Sequence, residues 1–142
     1  MQTHMPIAKG AFMTTELGLL IVTIVFGLFQ VLGTGMVVSQ ERGLNFSMSA
    51  RDDERPLTGA RARIHRAYRN FMETFGFFAA AVLVAGLLGR HDALTLSGAW
   101  VYVISRFIYW PLYVWGVPVI RSLVWGASVV GIVLVLLGIV VG

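Results

Sequence analysis

Leu17 to Val38 is an almost unbroken apolar run. Its about 22 residues, each rising about 1.5 Å in a helix, suffice to cross a hydrocarbon layer about 30 Å thick. A chain carrying such a run has few folds open to it, because in lipid every backbone polar group must be bonded internally. An α-helix does this within one segment. Three further runs follow: Phe71 to Leu88, which extends backwards through a polar stretch, Leu94 to Trp115, rich in aromatics, and Leu123 to Val141, aliphatic and glycine. The pattern predicts an all-α membrane protein, a single bundle of four transmembrane helices over approximately 16–39, 58–89, 94–115 and 118–141, after an N-terminal lead over 1–15. The first run is longer than the apolar core of a cleaved signal and lacks a small-residue exit, so it reads as a retained helix. With 57% hydrophobic and only 13% charged residues, the chain is too apolar for a water-soluble domain of 142 residues.

The net charge of +4 is unevenly spread. Arg42, Arg51, Arg55, Arg61, Arg63, Arg66 and Arg69 lie between the first two runs, whereas Lys9 and Arg90 stand on the other side. By the positive-inside rule the first loop is cytoplasmic and both termini face outward. Asp52, Asp53 and Glu54 dilute the loop's charge, and a nucleic-acid surface would want a larger basic patch with interleaved aromatics. No nucleic-acid partner is expected; membrane lipid is. There is no cysteine, so any thiol chemistry must use a thiol brought by a ligand. His4, His65 and His91 are scattered without zinc spacing, and no metal site is expected.

The polar stretch that opens the second helix carries the function signal. Arg66, Asn70, Glu73 and Phe77 are spaced four, three and four apart, one face of a helix. Arg106, Tyr109 and Tyr113 make a second stripe, spaced three and four. The up-and-down topology puts both stripes, and Arg121 at the start of the fourth helix, in the same half of the bilayer. An ionised side chain within a transmembrane helix costs at least about 2.5 kcal/mol, so its retention calls for a partner, a cavity or a ligand. Guanidinium groups favour carboxylate or phosphate, Glu73 an ammonium, Asn70 an amide, and the tyrosine hydroxyls add directional donors. A zwitterionic peptide fits this inventory. Other polar and aromatic residues have plainer readings. Arg61, Arg63 and Arg69 read as anchors reaching to lipid headgroups, with Arg69 and Glu73 also placed to pair at i,i+4. Trp100, Tyr102, Trp110, Trp115 and Trp125 read as interface and packing aromatics. Thr58 is a candidate cap for the second helix, Pro111 a candidate kink, and Ala81 with Ala85 and Ala127 with Gly131 candidate sites of close helix approach. The first loop, from Gln40 to about Gly59, shows turn formers without sustained helical period.

Arg66-Ala67, Asn70 and Glu73 with their aromatic-apolar continuation resemble the signature of the membrane-associated proteins in eicosanoid and glutathione metabolism, the MAPEG family. Arg106-Phe107-Ile108-Tyr109 with Tyr113, then Gly116, Pro118 and Arg121-Ser122-Leu123-Val124-Trp125, are similar to its bacterial members. Thr74 stands where some relatives have tyrosine, and Gly76 where they commonly have proline. The resemblance implies a homotrimer in a bacterial inner membrane, with glutathione as thiol cosubstrate near the cytoplasmic side. It also implies that Arg66, Asn70, Glu73, Tyr109 and Tyr113 bind glutathione and that Arg121 activates the thiol. The implied activity is a transferase or peroxidase acting on an apolar small-molecule electrophile or lipid hydroperoxide. A non-catalytic trimeric membrane protein that uses the polar stripe for assembly or headgroup binding is the alternative.

Overall fold

The computed structural model describes residues 13–50 and 56–142. Most of the N-terminal lead, and Arg51 to Arg55 of the basic loop, lie outside the described residues. The described chain is all helix and turn: α1 (Thr15–Arg42), α2 (Leu44–Ser47), α3 (Gly59–Leu88), α4 (Ala93–Trp115) and α5 (Pro118–Val141). Three of these, α1, α3 and α5, are long and apolar enough to cross a membrane. The fourth long helix, α4, is not among them; it carries Tyr102, Arg106, Tyr109 and Tyr113 within its span.

Local chemistry sets the helix ends. Thr14 Oγ1 accepts from Leu17 N and caps α1. Thr58 occupies the N-cap position of α3 but makes no side-chain cap. Its backbone N–H and its hydroxyl both donate to Glu41 Oε1, at 3.1 and 2.9 Å, and Arg61 lies 3.7 Å from the other Glu41 oxygen. A carboxylate from the end of α1 thus serves the positive start of α3 and leaves the threonine to act as donor. Asp92 and Thr95 form a reciprocal capping box at the start of α4. The helix continues through Pro111 and ends at Gly116, whose φ of 80° is the left-handed conformation that closes a helix without side-chain strain. Pro118 then opens α5, where its missing N–H costs nothing. The first loop, whose sequence shows no sustained helical period, contains the single turn α2, and α1 runs on past residue 39 to Arg42.

The core joins Leu19 and Leu20 of α1, Phe78, Ala81 and Val82 of α3, Ala99, Tyr102 and Val103 of α4, and Ile132 and Val135 of α5. The Phe78 and Tyr102 rings stack at 4.0 Å. Gly98 and Gly131 bring α4 and α5 into backbone contact, since a Cβ at Gly98 would stand 2.6 Å from the Gly131 carbonyl oxygen. Gly131 therefore does mark a close approach, with Gly98 across the seam as its counterpart. Large apolar side chains such as Leu28, Phe77 and Leu123 point outward, costly in water and favourable in lipid.

Candidate functional site

The spacing along α3 turns Arg66, Arg69, Asn70 and Glu73 toward the end of the bundle where α4 finishes and α5 begins. With Tyr113 they line a pocket of about 220 Å³. A second pocket, of about 240 Å³, is lined by Asn70, Tyr109, Tyr113, Arg121, Ser122 and Trp125. The two share Asn70 and Tyr113, so they adjoin. Arg66, Asn70, Glu73, Tyr109, Tyr113 and Arg121 are thus brought to one place from three helices. The short Gly116–Pro118 turn makes this possible by returning the chain so that the Arg121 guanidinium lies 4.3 Å from the centre of the Tyr113 ring. The Tyr109 and Tyr113 rings are 5.5 Å apart.

Behind the pockets lies Arg106, only 1% exposed. Its Nη1 donates to Asn70 Oδ1 at 2.9 Å and its Nη2 donates to Thr74 Oγ1. Thr74 Oγ1 is in turn 3.2 Å from the Tyr102 hydroxyl. The guanidinium carbon sits 5.4 Å from the centre of the Tyr102 ring and 5.5 Å from that of Tyr109. With its oxygen held by Arg106, the Asn70 amide directs its nitrogen to Glu73 Oε2 at 3.5 Å. Asn70 is therefore oriented from behind, and its place between the two pockets is fixed. Four guanidinium groups, Arg66, Arg69, Arg106 and Arg121, converge here with Glu73, an excess of positive charge that attracts anions.

The sequence placed Arg106 on the stripe without giving it a role, and Thr74 stood out only as a departure from relatives. The signal for Arg106 was present: a guanidinium one helical turn before Tyr109, well inside an apolar run. Arg69, read as a headgroup anchor, lines the first pocket. Arg63, read likewise, donates from Nε to the Val114 carbonyl at 2.7 Å and ties the start of α3 to the end of α4.

A larger apolar groove, about 550 Å³, runs between α3 and α5 from Thr74 and Trp125 past Phe77, Ala81, Val129 and Ile132 to Val140. Trp125 lines both this groove and the second polar pocket. A polar peptide and an apolar molecule could therefore meet at their junction. Among the described residues no group of three or more histidine or acidic side chains is placed to hold a metal ion.

Residues 19–141 match the family model of the MAPEG family. No individually curated protein gives a match.

Proposed function

The chain belongs to the MAPEG family of integral membrane proteins, which includes glutathione transferases and peroxidases as well as non-catalytic members, and from that premise we propose that it is a glutathione-dependent transferase or peroxidase. The observation that carries the reading is the adjoining pair of cationic pockets opening beside an apolar groove. Glutathione has two carboxylates and one ammonium, and the pockets offer Arg66, Arg69 and Arg121 with Glu73. Asn70, Tyr109 and Tyr113 supply amide and hydroxyl groups for its peptide units.

Arg121 is the activating residue in this reading. A cation beside a thiol favours the thiolate and raises the population of the nucleophile at neutral pH. The thiolate then attacks an electrophilic carbon and expels its leaving group, or attacks a hydroperoxide oxygen and breaks the O–O bond, releasing the alcohol and a glutathione sulfenic acid that a second glutathione converts to the disulfide and water. The acceptor enters the α3–α5 groove from the bilayer and reaches the thiol past Trp125. The assembly is a homotrimer, α4 is the fourth membrane crossing, and the site lies near the cytoplasmic face, with the first loop inside and both termini outside.

Isothermal titration of glutathione into the detergent-purified protein tests the site. Wild type should bind saturably, and Arg66→Ala should weaken binding at least about tenfold by removing a charge-assisted contact. Folded wild-type protein that takes up no glutathione would overturn the proposal. Binding without turnover of a chlorodinitrobenzene or cumene hydroperoxide would leave the site and remove the catalysis.

A further inference from the structure

The buried face of α1 is polar at Glu16, Thr23, Gln30 and Thr34, none of them more than 6% exposed. Two of these are satisfied. Glu16 accepts from the Thr95 hydroxyl at 2.9 Å, and the Thr23 hydroxyl donates to the Leu19 carbonyl at 2.7 Å. Gln30 and Thr34 differ: both polar atoms of the Gln30 carboxamide and the Thr34 hydroxyl are buried without a hydrogen-bond partner among the described residues.

Ring contacts fix what lies opposite. Phe26 stacks on Phe107 at 4.2 Å, and Phe29 meets Trp110 at 5.7 Å. The two helices run parallel, so the next turn of α1, with Gln30 and Thr34, falls level with Trp110 to Val114. Among the described residues Trp110 Nε1 is also buried without a partner, as is Arg106 Nε one turn earlier. Pro111 stands at the same level and has no N–H to give to the carbonyl of Phe107, four residues before it. Orphaned donors and acceptors thus gather at one height of the bundle. None of Gln30, Thr34 and Trp110 lines either polar pocket or the apolar groove.

We propose that Gln30, Thr34 and Trp110 form a site for buried water molecules between α1 and α4 at the level of Pro111. The chemistry selects a small neutral ligand that both donates and accepts. The indole only donates, a backbone carbonyl only accepts, and the carboxamide and hydroxyl do both. A buried water typically makes about three bonds to such otherwise unsatisfied groups. The rings of Phe26, Phe71 and Phe107 pack together one turn earlier and Phe29 meets Trp110 at this level, and the three proposed ligands are all uncharged. Helices broken by proline in membranes are commonly re-satisfied by ordered water and neighbouring side chains, and Gln30 brings such a side chain from another helix. The hydrated turn lies just before the segment of α4 that presents Tyr113 and is held by Arg63 at Val114.

The test is magnetisation transfer from water to the Gln30 carboxamide and Trp110 indole protons, in the full nitrogen-15-labelled chain in detergent micelles. Trp110→Phe assigns the indole signal. Long-lived water should reach both groups in wild type. In Gln30→Leu, similar in volume and apolar, the Trp110 transfer should fall at least twofold and the melting temperature should drop. Absence of transfer at both groups in wild type would overturn the site. So would a Gln30→Leu protein that melts at or above wild type, the result for an amide that had been merely unsatisfied.

Discussion

The bundle buries polar side chains at both ends, and the two ends use them differently. At one end Glu16, 4% exposed, accepts from the Thr95 hydroxyl, has His91 Nδ1 3.7 Å away, and sits beside the Asp92–Thr95 capping box. Each group there is turned inward to another, and none of Glu16, His91 and Thr95 lines a pocket described above. At the other end Arg106 is buried at 1% exposure, but its partners Asn70 and Thr74 border a polar pocket and an apolar groove. Arg66, Arg69 and Arg121 stand around them with Glu73 as the nearby carboxylate. Buried polarity alone therefore does not mark a site in a membrane protein. The mark is polarity left with capacity to spare, facing a space that a ligand can enter.

The largest effect that separates the ends is expected at Arg121. Losing a group that stabilises developing or fixed negative charge in a water-poor site costs about 10²–10³ in rate. Arg121→Ala should lower kcat/KM for glutathione-dependent turnover by that factor while the protein melts within a few degrees of wild type. A variant as active as wild type would remove Arg121 from the chemistry and leave the cationic pockets as a binding feature only.

Glu16→Ala should do the converse. It removes a hydrogen bond to a charged acceptor and leaves the Thr95 hydroxyl with the Asp92 carbonyl, 3.0 Å away, as its remaining acceptor, a loss of about 1.5 kcal/mol. A thermal melt should drop by several degrees, with the affinity for glutathione unchanged. If affinity fell along with stability, the two ends would be coupled and the contrast between fastening and site would fail.

The helical frame was legible because lipid leaves so little choice: runs long enough to span, glycine and proline between them, and arginines on one side of the first run. The pockets' residues were legible for a related reason, since Arg66, Asn70 and Glu73 repeat at helical spacing where ionised groups are expensive. What the sequence hid was pairing across helices. Thr58 carries a capping residue's chemistry, yet it donates to Glu41, seventeen positions earlier. Arg63 has the long stem of a headgroup anchor but bonds the Val114 carbonyl, a contact set by the return of α4 beside α3. Gln30 lies in a run that reads as lipid-spanning and uniform, yet it is buried at 2% exposure with both carboxamide atoms unpartnered among the described residues. Periodicity along one helix assigns faces; it does not say which neighbour fills them.

Arg106 is the residue on which the comparison turns, because it is as deeply buried as Glu16 but reaches the site through Asn70. A fastening and a positioning role predict different outcomes for Arg106→Met, which keeps an unbranched apolar stem and discards the charge. The change leaves Asn70 Oδ1 and Thr74 without their donor, but it also relieves the desolvation of a buried guanidinium that no carboxylate neutralises in a close ion pair among the described residues, and these terms oppose each other. Thr74 retains the Tyr102 hydroxyl and Asn70 retains Glu73, so the net change in stability should be smaller than that of Glu16→Ala. Affinity should respond more clearly. Without Arg106 the Asn70 amide can rotate away from the line between the two pockets, and glutathione binding should weaken about tenfold, or about 1.4 kcal/mol. A calorimetric titration beside a thermal melt of the same preparation reads both quantities. Unaltered affinity with a large fall in melting temperature would make Arg106 a fastening like Glu16, and the oriented Asn70 would lose its cause.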